Sequence, residues 1–190
     1  MNILGISGSP HINGNTAYSV QYALDQLTDS KIVTKYISLA NKTINPCQGC
    51  FSCAKNSRCE LSDDMDEIYE IIRWCDAIVI GSPVYMGMVS GHVKVFMDRC
   101  VAFRSNRDKS YELSGKMGCG IACGGFRNGG QETTLQNIHT FLLQQNIKVI
   151  SDGFPYCHAG GTIVGNAETD DIGLQTIKNL MTNLIRMNPV

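Results

Sequence analysis

Residues 2–16 have the sequence NILGISGSPHINGNT, in which a short apolar run leads into a loop rich in glycine and polar residues. The run from Asn2 to Ser7 predicts a buried strand, because it is short, apolar and followed by Gly8. Apolar residues between Ala17 and Leu27 recur with the period of a helix, which predicts a helix over residues 15–28. The chain therefore starts with a strand, a glycine loop and a helix, the unit from which parallel α/β sheets are built.

The same alternation continues along the chain. Asp64 and Glu67 are expected to form a capping box at the start of one of the later helices. Short apolar strands between helices predict an α/β fold, namely a flavodoxin-like, doubly wound, five-stranded parallel sheet in three α/β/α layers. We expect residues 1–190 to form a single domain of this kind, with a cysteine-rich insertion loop at 45–61. The further predicted strands cover residues 31–38, 77–81, 116–123 and 147–151, and the further helices 63–75, 91–100, 132–145 and 177–185.

Charge and composition exclude several classes of protein. The 16 basic and 17 acidic residues give a formal net charge of −1, which argues against a nucleic-acid partner and against a polybasic membrane binder. The longest uncharged stretch, residues 77–93, contains Pro83, His92 and several glycines, so it is a poor candidate for a membrane span. No secretory signal is recognisable before the first strand, and we expect a cytoplasmic protein.

Three glycine-rich loops follow predicted strands, at residues 8–16, 81–87 and 124–130. Ligands of open α/β sheets bind outside the carboxyl ends of the strands, so these loops are expected to meet at one edge of the sheet. The cysteine-rich segment follows the second strand, and it is expected at the same edge.

The first loop has the chemistry of a phosphate site. Its small residues let backbone N–H groups approach an anion at the start of a helix, and Ser9, Asn15 and Thr16 add side-chain donors. A dinucleotide fingerprint is excluded because Ser7 breaks its G-x-G-x-x-G pattern and because residues 36–39 (YISL) offer no acid at the end of the second strand. A triphosphate loop is excluded because Asn15 follows Gly14 where lysine is required. The pattern favours a monophosphate over an ordinary strand-to-helix turn.

All three loops, in this order, resemble those of the NAD(P)H-dependent FMN reductases and their flavodoxin-like relatives, over residues 1 to about 150. The motifs are Gly-Ser-Pro-x-x-x-Gly-Asn-Thr from Gly8, residues 81–87 (GSPVYMG) and residues 124–132 (GGFRNGGQE). His11 departs from the pattern, since many relatives carry arginine there, and a neutral imidazole is a weaker phosphate partner. The resemblance implies an FMN-binding domain whose cofactor contacts are Ser9, His11, Gly14, Asn15, Thr16, Pro83, Val84, Tyr85, Met86, Gly87, Gly124, Gly125, Phe126 and Gly129.

The second loop also suits a flavin on physical grounds. A flat, amphipathic ring system needs an apolar wall and nearby backbone donors and acceptors. Pro83 fixes the turn, Tyr85 offers a face for stacking and Gly87 permits close approach, although Tyr85 would also be ordinary as a half-buried surface aromatic. Because the flavin itself carries the redox chemistry, no side chain is assigned as a catalytic acid or base.

Four of the nine cysteines form the pattern C-x2-C-x2-C-x5-C at Cys47, Cys50, Cys53 and Cys59. Thiolates this close in sequence can surround one [4Fe–4S] cluster, whereas structural zinc usually takes two separated pairs of ligands. Redox-active thiols without a metal are the second alternative, and a zinc site is the third. The spacing resembles the compact motif of the iron–sulfur flavoproteins, a branch of the same FMN-binding family.

Three functions follow from these patterns. The first is an FMN-dependent oxidoreductase or electron-transfer protein of the iron–sulfur flavoprotein type, with NAD(P)H or a ferredoxin as electron donor and a small molecule or protein as acceptor. The second is an NAD(P)H-dependent FMN or quinone reductase without a cluster. The third is a flavin-binding redox sensor that catalyses nothing. The family resemblance implies a homodimer or homotetramer.

Overall fold

Six parallel strands and six helices are present in residues 1–56, 58–104 and 111–188, the parts of the chain that this computed structural model describes. Short 3-10 turns cover Leu39–Asn41, Cys100–Arg104 and Ala167–Thr169. The strands are β1 (Asn2–Ser7), β2 (Val33–Ser38), β3 (Ala77–Pro83), β4 (Met117–Gly124), β5 (Lys148–Val149) and β6 (Gly161–Val164). The helices are α1 (Asn15–Asp25), α2 (Ser52–Asn56), α3 (Met65–Trp74), α4 (Gly91–Arg99), α5 (Gln131–Gln144) and α6 (Asp171–Arg186).

The sheet has the order β2-β1-β3-β4-β5, with β6 also paired to β4. This order confirms the flavodoxin-like doubly wound fold. The prediction of one fifth strand over residues 147–151 is wrong in detail, because two short strands, β5 and β6, lie one after the other along β4. β5 pairs with Met117 and Gly118, and β6 pairs with the second half of β4, from Ile121 to Gly124. The chain leaves the sheet edge between them and returns at Gly161.

Each face of the sheet is covered by helices, which gives the expected three layers. Ile78 and Ile80 of β3 belong to the core beneath α3, α4 and α5, whereas Ala77 and Val79 belong to the core beneath α1 and α6. This alternation follows from the two-residue period of a strand that is buried on both faces. Within the described ranges, none of the helices combines the length and apolar character needed to cross a membrane.

The start of α3 differs from the expected capping box. Asp64 makes no side-chain hydrogen bond to the first turn; its Oδ2 accepts instead from the backbone N–H of Thr43 at 2.6 Å. The Glu67 carboxylate pairs with Lys42 Nζ at 2.7 Å. Asp63 takes over the role at the helix start, since its Oδ1 accepts from the N–H of Met65 at 3.0 Å. The acidic residues before α3 therefore tie the helix to the segment that precedes the cysteines.

Candidate functional site

The first glycine loop is tied to its neighbours by backbone contacts at the carboxyl edge of the sheet. The N–H of Gly8 donates to the carbonyl of Gly81 at 2.8 Å, which joins the first loop to the end of β3. Ser90 Oγ donates to the carbonyl of Gly8 at 2.6 Å, and the same oxygen accepts from the N–H of Val93 to cap α4. The first loop, the second loop and the start of α4 are thus held as one unit.

The second and third loops touch each other directly. The N–H of Val84 donates to the carbonyl of Cys123 at 2.9 Å. Gly130 has φ +110°, and a Cβ added there would lie 2.5 Å from Cα of Gly87. Only glycine fits this position, since both the conformation and the space exclude a side chain. All three glycine loops therefore meet at one edge of the sheet.

The first loop leaves hydrogen-bond donors available at the start of α1. Gly14 caps the helix with no side-chain hydrogen bond, so the first N–H groups of α1 have no acceptor within the helix. Ser9 is buried, and its Oγ accepts from the N–H of His11 at 3.0 Å, which curls the loop into a tight turn. Thr16 is buried beneath it. Open N–H groups at a helix start beside small residues fit the phosphate of a flavin mononucleotide.

Asn15 has a structural role that its sequence position did not indicate. Its Nδ2 donates to the carbonyl of Gly165 at 2.7 Å, and its Oδ1 accepts from the N–H of Ala167 at 3.0 Å. The side-chain amide thus fastens the connection between β6 and α6 to the first loop. Because the side-chain amide is engaged in this way, the backbone N–H is the group of Asn15 that can donate to a phosphate.

Apolar side chains stand exposed around this loop cluster. Met86 is fully exposed at φ +52°, Phe126 is 83% exposed and Tyr85 is 45% exposed. Tyr85 and Met88 exchange two backbone hydrogen bonds, of 3.0 and 3.1 Å, which close the turn that presents Met86. An apolar rim next to a candidate phosphate loop fits the needs of a flavin ring.

Gln131 organises the third loop and was not singled out from the sequence. Its Nε2 donates to the carbonyl of Phe126 at 2.8 Å, and its Oε1 accepts from the N–H of Gly129 at 3.1 Å. The buried amide therefore holds the exposed residues Gly125 to Gly129 in a fixed turn. The Gly-Gly-Gln-Glu pattern at the start of α5 was the signal that could have identified it.

The four motif cysteines line one common cavity. Its volume is about 120 Å³, and Leu61, Arg99, Val101 and Ala102 line it from outside the motif. The loop reverses direction within the motif, since Gly49 (φ +65°) and Phe51 (φ +60°) are left-handed. The sequence spacing predicts that these cysteines share one loop, and the fold adds that all four line the same cavity. The cavity-lining cysteines are Cys47, Cys50, Cys53 and Cys59.

The cysteine cavity lies away from the glycine loops, which corrects the expectation of a shared edge. The segment after β2 starts at that edge, but residues 42–44 then follow α4, where they line a groove with Gly91, His92 and Val95. The cavity itself is at Arg99, the last residue of α4, whereas Ser90 at the other end binds the first glycine loop. One helix of nine residues, about 13 Å long, therefore separates the two sites.

A buried ion pair closes the base of the cysteine loop. Arg99 Nη1 donates to Asp63 Oδ2 at 2.6 Å, and the side chains are only 1% and 3% exposed. Burial by itself would raise the pKa of the Asp63 carboxyl, but hydrogen bonds from Arg99 and from the N–H groups of Asn45 and Met65 outweigh it and lower the pKa to about 2. Neither residue was identified from the sequence, because their contact joins positions far apart in the chain.

The cysteines divide into two chemical groups. Hydrogen bonds from Ser52 lower the pKa of the exposed Cys50 thiol, which favours the thiolate that a metal binds. Burial raises the pKa of Cys75 and of Cys123 to about 11, and that of Cys119 to about 12. Those buried thiols are core residues. All nine cysteines lie in the described part of the chain, and none forms a disulfide.

The thiol arrangement does not match a site for one metal ion. Among the described residues, no three histidine, cysteine, aspartate or glutamate side chains converge so as to hold a single ion. A [4Fe–4S] cluster makes a different demand, because each of its thiolates binds a different iron. Four cysteines around one cavity with apolar walls fit that demand.

Comparisons with known proteins agree with this geometry. Residues 1–161 match the family described as NADPH-dependent FMN reductase. The chain is 45% identical over 184 residues to an iron–sulfur flavoprotein of Methanocaldococcus jannaschii, covering 95% of this chain and 93% of that protein. It is 36% identical over 184 residues to an iron–sulfur flavoprotein of Methanosarcina thermophila, covering 97% and 93%.

A solved structure supports the fold. RosB with bound 8-demethyl-8-formylriboflavin-5′-phosphate superposes with a TM-score of 0.77 at 17% identity, over 98% of this chain and 79% of that chain. At this level of identity, the likeness concerns the fold alone.

Proposed function

The chain belongs to the NADPH-dependent FMN reductase family, and we propose that this FMN-dependent oxidoreductase is an iron–sulfur flavoprotein that also holds a [4Fe–4S] cluster. The observation that carries the proposal is the single cavity lined by all four motif cysteines. The names of the two archaeal relatives, which align over nearly the whole chain, support it.

The three glycine loops are proposed to hold FMN within a single domain. The start of α1, with Ser9, Gly14 and the backbone of Asn15 and Thr16, would bind the phosphate, and His11 stands exposed beside it. The second and third loops would hold the ring. Their contributing residues are Pro83, Val84, Tyr85, Met86, Gly87, Gly124, Gly125, Phe126 and Gly129.

Cys47, Cys50, Cys53 and Cys59 are proposed as the cluster ligands. A bound cluster exchanges single electrons, whereas FMN exchanges either one electron or two, so the pair can connect hydride donors to one-electron partners. The protein contributes the thiolates, an apolar wall that limits access of water, and a fixed distance between the two sites along α4. None of its side chains needs to act as an acid or a base.

The proposed partners follow from the glycine loops and from the exposed apolar residues around them. The glycine loops offer no dinucleotide fingerprint, so NAD(P)H is proposed to bind transiently over the flavin, with a ferredoxin as the alternative donor. A small molecule or a protein would take the electrons. Phe51, Met86 and Phe126 are large exposed apolar residues, which supports self-association as a homodimer or homotetramer. We also propose a reducing, cytoplasmic location, where clustered cysteines more often bind metal than form disulfides.

Metal and flavin analysis of anaerobically purified protein tests the proposal. We expect about four irons and one FMN per chain, with broad absorption near the flavin bands. Cys50→Ser should lose iron and keep FMN, because the two sites use different loops. Cys157→Ser is the matched control, since Cys157 is also exposed but lies outside the motif.

Two results would favour the alternative functions. Wild-type protein that binds no iron after anaerobic reconstitution with iron and sulfide would leave a flavin reductase without a cluster. If that protein also failed to oxidise NAD(P)H with a quinone as acceptor, the flavin-binding redox sensor would be favoured.

A further inference from the structure

We propose that Arg99 is a positioning residue for the cluster, in that its guanidinium closes the loop that carries the four cysteines and supplies positive charge to their cavity. The inference rests on the proposed cluster and concerns a residue outside the cysteine motif.

Arg99 binds the two ends of the cysteine loop at once. Its Nη1 donates to the carbonyl of Asn45 at 2.9 Å, and its Nη2 donates to the carbonyl of Leu61 at 3.4 Å. Asn45 lies two residues before Cys47, and Leu61 lies two residues after Cys59. The loop therefore begins and ends on the same side chain, as a planar group with several fixed donors permits.

Asp63 holds the guanidinium in place. Its Oδ2 accepts from Arg99 Nη1 and also from the N–H of Asn45, at 2.9 Å, while its Oδ1 accepts from the N–H of Met65. The Arg99 carbonyl in turn accepts from Tyr69 Oη at 2.8 Å. Both partners of the ion pair are thus fixed by the backbone of α3 and of the loop itself. A closed loop keeps the four thiols near one another before any iron binds, which lowers the entropy lost on binding.

Arg99 also has a place in the cavity wall. Of the described residues that line the cavity, it alone carries a permanent charge. Its Nε is buried and has no hydrogen-bond partner among the residues that the structure describes. The charge and hydrogen bonds around a cluster set its reduction potential, and a positive charge favours the more negative, reduced form. Arg99 is therefore expected to raise the potential of the cluster.

Two variants separate loop closure from charge. Arg99→Lys keeps the charge but cannot bind both loop ends, so we expect iron affinity, measured by competition with a chelator, to fall roughly 10–100-fold. Its reduction potential should stay near that of the wild type. The double variant Arg99→Met with Asp63→Asn removes the buried pair without leaving one charge alone, a change that folded proteins often tolerate. Arg99 lines the cavity and Asp63 does not, so the loss of the nearer positive charge should outweigh the loss of the carboxylate. The double variant should therefore lose iron affinity and also shift the potential to a more negative value.

Lys94→Met is the matched control. Lys94 lies on the same helix and pairs with Asp98 at 2.7 Å, but it does not line the cysteine cavity. It should keep the iron affinity and potential of the wild type. If the two Arg99 variants behave like this control while the wild type holds its cluster, the role of Arg99 is refuted and the proposed function stands.

Hydrogen exchange on the metal-free protein tests loop closure independently of iron. Amides in residues 45–61 should exchange faster in Arg99→Lys than in Lys94→Met, and the core strands should exchange alike in both. Equal exchange in the loop would overturn the closure, even if the wild type proved to bind no iron. Failure of the wild type to bind iron would count against the proposed function instead.

Discussion

Ser90 and Arg99 stand at the two ends of α4, and each fastens a different functional loop to it. Ser90 Oγ donates to the carbonyl of Gly8 in the first glycine loop, whereas the guanidinium of Arg99 binds both ends of the cysteine loop. Between them, Val93 and Phe96 are fully buried in the core. The helix is therefore a rigid spacer of about 13 Å between the glycine loops and the cysteines.

Replacing Ser90 by Ala is expected to weaken both the protein and its FMN site. The variant loses the helix cap at Val93 and leaves the Gly8 carbonyl without its donor, and such losses cost about 1–3 kcal/mol in the free energy of unfolding. Urea unfolding and FMN titration of the apoprotein would measure the two effects. Ser30→Ala, at an exposed position, is the control. An unchanged FMN dissociation constant would show that the first loop keeps its shape without Ser90.

Ser9→Ala and Thr16→Ala test the phosphate position directly. A hydrogen bond to a charged group contributes roughly 1.5–3 kcal/mol, so each substitution at a true contact should weaken FMN binding by about one to two orders of magnitude. Flavin fluorescence during titration of the apoprotein is a suitable measurement. If both variants bind FMN as tightly as the wild type, the phosphate does not lie at this loop.

Asp63 predicts a specific loss of stability in acid. Its pKa is lowered from the ordinary 3.8 to about 2 in the folded protein. A lowered carboxyl pKa stabilises the fold above the unfolded value, so this contribution is complete above pH 4 and disappears as the pH falls through about 2. The shift corresponds to roughly 2 kcal/mol in the free energy of unfolding.

Urea unfolding at several pH values would measure this contribution. Asp63→Asn should be less stable than the wild type at neutral pH, and the difference should shrink between pH 4 and pH 2. A difference that stays constant over that range would mean that the ion pair with Arg99 does not set the acid stability.

Much of the fold could be predicted because its signals are local. Apolar runs predict β1 and β3, and helical periodicity predicts α1 and α6, without any knowledge of tertiary contacts. The strand β6 was missed because four residues carry too little pattern, and its pairing with β4 depends on a partner about forty residues away.

The local motifs of the site could be predicted from the sequence, whereas its tertiary arrangement could not. Glycine loops and cysteine spacing are visible in the sequence, but the path of the cysteine loop along α4 is set by tertiary contacts. The sequence holds one signal for the burial of Arg99, since this residue continues the buried stripe of Val93 and Phe96 at three-residue spacing. An arginine on an apolar stripe demands a buried acceptor, yet the sequence alone does not say that Asp63 provides it.

Gly130→Ala tests whether contact between the second and third loops is needed for flavin binding. The added Cβ would meet Cα of Gly87 at 2.5 Å in a backbone conformation that alanine rarely adopts, so the two loops must separate. Strain of this kind costs about 1–3 kcal/mol, and the FMN dissociation constant should rise with it. Gly91→Ala is the matched control, because its Cβ would enter open space at the start of α4. Titration of both apoproteins with FMN, together with thermal unfolding, gives the comparison. If Gly130→Ala loses stability as expected but binds FMN as tightly as Gly91→Ala, the flavin does not depend on the contact between these loops, and the ring would have to be assigned to another surface.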